Sequence, residues 1–167
     1  MLEGKIPVTW KQTDYKNGEW RSYYNNFTGF TTTETIRETY KSTMGVHLNN
    51  DVPMKLREVV WQNFKLDKIV IALNKLSPGQ ILPWHKDRYL TYIEKNKIEN
   101  KNKIARIILF LEDQEPGQQL WIGDKFCTGP AGSYFGWHYG QEHMAANLGK
   151  KDRHTLQITG TNTHTKC

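Results

Sequence analysis

The 167-residue chain is 37% hydrophobic, 24% charged and 12% aromatic, and its formal net charge is +6. That length admits one domain with a real core and excludes two, and no apolar run approaches the roughly 20 residues of a membrane-spanning helix. The start, MLEGKIPVTW, has no signal-peptide core, and two cysteines, Cys127 and Cys167, make neither a disulfide framework nor a thiolate metal site, so a cytoplasmic protein without membrane partners is expected.

The first 50 residues offer short aromatic pieces (VTW, WRSYY, FTGF) among Asn, Gly and Thr, which predicts irregular structure or edge strands. VPMKLREVVWQNFK reads as a helix, because Leu56, Val59, Val60 and Phe64 recur at helical spacing and Pro53 lies early, where proline is tolerated. After Asp67 the texture changes. KIVIALNKL is a strand, SPGQ a turn, and ILPWHKD a short strand. EKNKIENKNKIAR, residues 94 to 106, is a Lys/Asn-rich connector leading into KIARIILFLED, the strongest strand. QLWIGD, SYFGWHYG, HMAAN and RHTLQITG follow, separated by turns. Seven or eight short strands with one helix ahead predict a mainly β protein, a sandwich or barrel, and disfavour a doubly wound fold. Much of the positive charge sits in the connector and in GKKDR (149 to 153), where solvated loops account for it better than a nucleic-acid surface does.

Within LPWHKDRY, His85 and Asp87 stand two apart, a spacing that puts both on one face of a strand. H-x-D alone is a weak signal. It gains weight from the region 132 to 160, where His143 opens one strand and Arg153 opens the next. Two His and one carboxylate on one side of a metal leave the opposite face open, the arrangement of non-haem Fe(II) oxygenases. A buried Arg near that face suits a dicarboxylate co-substrate, whose carboxylate its planar fork pairs in two charge-assisted bonds.

In these residues the chain resembles the Fe(II)- and 2-oxoglutarate-dependent dioxygenases of the double-stranded β-helix (jelly-roll, cupin-like) fold, in particular small hydroxylase-type members, some of them encoded by phages. The resemblance covers roughly residues 67 to 160, with 1 to 66 as a flanking segment. It rests on His85-x-Asp87, His143 and Arg153 in that order, supported by the PGQ-x-LPWHKD lead-in, the PGQQL turn and Ala131-Gly132. It departs from the prolyl hydroxylases at PGQQL, where those carry a Gly-Gly pair.

The resemblance implies that His85, Asp87 and His143 bind Fe(II), that Arg153 grips the distal carboxylate of 2-oxoglutarate, and that O₂ is the second co-substrate. Thr155, two residues on and on the same strand face as Arg153, is placed to bond the same carboxylate, and Asn74 is a further co-substrate candidate by the same alternation. Trp84, Tyr134, Phe135 and Trp137 are candidates for the pocket wall, with core packing as the competing role. His138 rivals His143 as third ligand, and the spacing from the Ala131-Gly132 turn that the resembled family shows favours His143. His154 alternates outward as a surface or packing residue, His47 and His164 carry no partner pattern, and Cys127 reads as a small buried residue. The connector between residues 88 and 103 is expected to hang over the mouth as a mobile lid.

The implied reaction is hydroxylation of a protein side chain, an amino acid or another small molecule. Two alternatives stand beside it. One is a cupin-type binding module without turnover. The other is an oxidative nucleic-acid demethylase, disfavoured because the stretch from His143 to Gly160 offers a single arginine.

Overall fold

The structure, a computed structural model, describes residues 1–11, 21–24, 43–48 and 51–162, with side chains described in 1–11 and 51–162. FTGF, His164, Cys167 and the side chain of His47 lie outside the described residues. Eleven strands occur among the described residues: β1 Leu2–Lys5, β2 Arg21–Tyr24, β3 Thr43–Leu48, β4 Asp67–Leu76, β5 Ile81–His85, β6 Ile104–Phe110, β7 Gln118–Ile122, β8 Lys125–Phe126, β9 Ser133–His138, β10 His143–Asn147 and β11 Arg153–Thr161. The same residues also form two helices, α1 Met54–Asn63 and α2 Leu90–Asn96, and a 3-10 turn at Lys101–Lys103.

The strands form two antiparallel sheets. The large one runs β1-β9-β6-β11-β4-β3-β2 and the small one β5-β10-β7-β8. From β4 to β11 the chain passes back and forth between them, and that winding makes a double-stranded β-helix. The early segment contributes edges, as its short aromatic pieces suggested. β1 lies on one side of the large sheet and β2–β3 on the other, while residues 8–10 (VTW) form no strand.

β11 is buried almost throughout, so its two faces serve two cores. Leu156 and Ile158 join Leu73, Ile71, Ile107 and Leu109 on the outer face of the large sheet. There α1 covers them with Leu56 and Val60, one helical turn apart, and each such burial stabilises by about 1.5–3 kcal/mol. On the inner face, Ile108, Phe110, Phe135 and Trp137 meet Leu120 and Ile122 of the small sheet. This second core is incomplete. The alternation that places apolar side chains between the sheets also places Asn74, Arg153 and Thr155 there.

The connector is more ordered than its composition suggested. It carries α2, which is tied to the start of β4 by Tyr92 Oη donating to the Lys68 carbonyl (3.0 Å) and Lys68 Nζ donating to the Asn96 carbonyl (2.7 Å). Lys and Asn are poor strand formers but tolerable in a short helix, and the register of β4 supplies the docking partners that the local sequence cannot. No helix among the described residues is long and apolar enough to cross a membrane.

Candidate metal centre and adjoining cavity

His85 ends β5 and His143 begins β10, and these strands pair so that the two residues stand opposite one another. Simple alternation does not put them there. Ala145 pairs with Leu82 while His143 pairs with His85, so β5 carries one extra residue over that interval. This bulge turns both Leu82 and His85 inward, as bulges do where a side chain must be re-aimed. Each imidazole is then fixed by a local bond. His85 Nδ1 donates to the Pro83 carbonyl (2.7 Å) and His143 Nδ1 to the Gln141 carbonyl (3.1 Å). Because a carbonyl only accepts, Nδ1 carries a proton in both rings, and in the neutral tautomer so fixed it is Nε2 that bears the lone pair.

Both lone pairs face Asp87. Its Oδ1 is 3.7 Å from His85 Nε2, and its Oδ2 is 3.5 Å from His143 Nε2. Contrary to expectation, Asp87 is not on the strand. β5 ends at His85, and residues 86–89 form an irregular link to α2, so a turn of the chain rather than pleat alternation brings the carboxylate across. The ligand atoms of the three side chains lie within 4.8 Å of one another, and this group could hold a metal ion.

The electrostatics suit a cation. Burial pushes the Asp87 carboxyl up, but Arg106, His143 and His85, with the neighbouring Tyr89 hydroxyl, together outweigh it and hold the group below the ordinary carboxylate value. Its Oδ2 is buried and makes no hydrogen bond, although Arg106 Nε lies 3.4 Å away. His143 is pulled down to about 4, chiefly by burial, with Asp87 opposing and His85 assisting, so it is neutral at pH 7 as a ligand must be. The donor set therefore fits a divalent ion: two imidazoles whose Nε2 atoms point at one carboxylate, and an anionic oxygen with an unused buried lone pair.

The three groups line a cavity of about 80 Å³ that also contains Asn74, Arg153, Thr155 and Gln157. Arg153 is 6% exposed, donates from Nη1 to the Gln119 carbonyl (2.7 Å), and lies 5.0 Å from the centre of the Phe110 ring. Among the described residues no carboxylate pairs with it, and burial pulls its pKa down to about 10, where it is still a cation at pH 7. A buried cation without an acidic partner is costly, and such a site takes an anion when one is offered. Asn74 and Thr155 are paired in register across β4 and β11, and the Asn74 Oδ1 is buried without a hydrogen bond while its amide nitrogen reaches Gln157 at 3.5 Å.

Of the candidate wall residues, Trp137 lines the cavity and packs on His143, ring centres 4.4 Å apart. The other three do not line it. Phe135 packs against Phe110 in the inter-sheet core, Tyr134 faces α1 and meets Phe64 edge-on, and Trp84 is 40% exposed because the bulge turns it outward. His138 is exposed at the end of β9 and outside the group. His154 is a packing residue and not a surface one. It is 2% exposed, bonded through Nδ1 to Glu112 (3.1 Å) and set beside Trp10. Cys127 is fully buried, and that burial raises its thiol to about 11. Gln157 escaped the sequence reading although one more step of the β11 alternation reaches it. Arg106 carried no comparable signal, since its partner lies on a different element.

No family model and no curated protein matches the chain. Solved structures similar to it include a predicted oxalate decarboxylase from Thermotoga maritima, at 16% identity over 73% of this chain and 84% of that one, TM-score 0.46. A putative sugar phosphate isomerase from Acidithiobacillus ferrooxidans matches at 10% identity over 92% and 75%, TM-score 0.49. A conserved protein with a double-stranded β-helix domain from Klebsiella pneumoniae matches at 13% identity over 62% and 76%, TM-score 0.41. None of these three reaches a TM-score of 0.5.

Proposed function

We propose that the protein is an Fe(II)- and 2-oxoglutarate-dependent dioxygenase that hydroxylates a protein side chain, an amino acid or another small molecule. The observation that carries this reading is Arg153, a buried guanidinium with no carboxylate partner among the described residues, lining the same cavity as a His/Asp/His group. A metal-binding module without turnover has no use for that uncompensated charge.

His85, Asp87 and His143 would hold Fe(II), which when bound supplies the oxidative chemistry: 2-oxoglutarate, O₂ and a C–H bond become succinate, CO₂ and an alcohol, one oxygen atom going to each organic product. The chain's residues do the rest. Arg153 takes the distal carboxylate of 2-oxoglutarate, and Thr155 and Asn74 add hydrogen bonds to it. The Nδ1–H bonds to the Pro83 and Gln141 carbonyls hold each imidazole in the tautomer that a ligand needs. Trp137, Leu82, Ile108 and Leu120 line the cavity with apolar surface and keep bulk water from it.

An anaerobic titration of apoprotein with Fe(II) and 2-oxoglutarate tests this. The expected result is a visible metal-to-ligand charge-transfer band that is absent when either component is omitted. A folded wild type that gives no band sinks the dioxygenase reading.

A further inference from the structure

Asp87 is held differently from its two neighbours. His85 and His143 sit on paired strands, and each is locked by a bond to a carbonyl two residues away. Asp87 lies in the link 86–89, which no ladder fixes. The cation that reaches its carboxylate is Arg106, from β6 of the opposite sheet, with Nε 3.4 Å from Oδ2. Arg106 is anchored in turn. It stands in register with Trp137 on β9 and Thr159 on β11, and its side chain is 14% exposed. Its guanidinium lies 4.7 Å from the centre of the Tyr89 ring. Tyr89 is buried and has φ +53, a left-handed conformation that costs a bulky residue about 1–3 kcal/mol and persists only where the surroundings impose it. Two residues beyond Asp87, therefore, the chain bends at a strained residue whose ring is stacked on the same guanidinium.

We propose that Arg106 is the positioning residue of this site: from the large sheet it clamps the link at Asp87 and Tyr89, and so presents the carboxylate to an ion held by His85 and His143. The inference rests on the metal-centre reading and deepens it. Arg106 Nε faces Oδ2 at 3.4 Å without a hydrogen bond to it, so it orients and stabilises the carboxylate by charge while leaving its lone pairs for an ion. It also joins the two sheets at the site, since both histidines belong to the small sheet and Arg106 to the large one. Arg106 acts through Asp87 and not on the reacting atoms.

The test is Co(II) binding to the purified full chain, without 2-oxoglutarate, followed by calorimetry and by the visible cobalt spectrum. Arg106→Gln is expected to weaken Co(II) roughly 10–100-fold, the usual cost of losing a group that orients a metal ligand, and to alter the band shape as the carboxylate leaves its position. Arg106→Lys keeps the charge but loses the planar stack on Tyr89, and is expected about threefold to tenfold weaker than wild type. A merely structural ion pair would lower the melting temperature and leave both affinity and spectrum alone. Folded Arg106→Gln with wild-type affinity therefore overturns the proposal. Should that variant not fold, wild-type affinity in Arg106→Lys overturns it equally. Wild type that binds no Co(II) is a different failure, that of the metal-centre reading itself.

Discussion

His85 and His143 oppose one another across β5 and β10 with ring centres 4.2 Å apart, and the bulge in β5 is what brings His85 to that side. Their Nε2 atoms converge on one carboxylate, whereas His138 ends β9 exposed to solvent.

His143→Ala is accordingly expected to abolish Fe(II) or Co(II) binding, a loss beyond the roughly 10–100-fold typical of outer-shell changes, while His138→Ala stays within about twofold of wild type. Calorimetric titration of the three apoproteins measures this. Equal losses in the two variants would reassign the third ligand.

Arg153 separates binding from stability. Arg153→Met removes a buried charge that has no acidic partner, and loses one hydrogen bond to the Gln119 carbonyl worth about 1 kcal/mol. The melting temperature of the apoprotein should hold or rise. Binding of 2-oxoglutarate to the metal-loaded protein should weaken by at least about 2 kcal/mol, roughly 30-fold. A destabilised apoprotein with intact co-substrate binding would make Arg153 structural.

The buried imidazole of His143 makes stability depend on pH. Unfolded, the ring takes a proton near 6.5; folded, it resists until about 4. Between those values the unfolded chain binds more protons, so this contribution is complete above 6.5 and is lost as pH falls toward 4, by up to roughly 3 kcal/mol. Asp87, held below its ordinary value, acts in the same direction at still lower pH. Urea denaturation of apoprotein from pH 7 to 4.5 should show the slope, and His143→Gln should flatten it.

The segment carrying α2 is expected to open independently of the barrel. The helix itself, Leu90–Asn96, has no buried residue, leaves Leu90 65% exposed, and is tied to β4 by the two bonds at Lys68. Amide exchange in residues 90–96 should run at least about tenfold faster than in β6 and β11. Protection equal to those strands would remove the lid role.

The alternation of β11 was legible at once, because a strand with both faces buried repeats every two residues whatever surrounds it. That periodicity put Arg153 and Thr155 on one face, set Asn74 inward on β4, and reaches Gln157 by one further step. The helix Met54–Asn63 was legible for the same kind of reason, its apolar residues recurring every three to four.

What the chain could not announce were the features that depend on a partner strand. The bulge in β5 is defined by the register against β10, so nothing local to LPWHKD shows that Trp84 turns out and His85 turns in. The place of Asp87 beyond the strand end, and Arg106 beside it, arise only when β6 of one sheet comes against the link that leaves the other. Local sequence sets periodicity and turn chemistry. Which side chains meet across the barrel is settled by strand register, a property of pairs of segments that the order of residues along one segment does not contain.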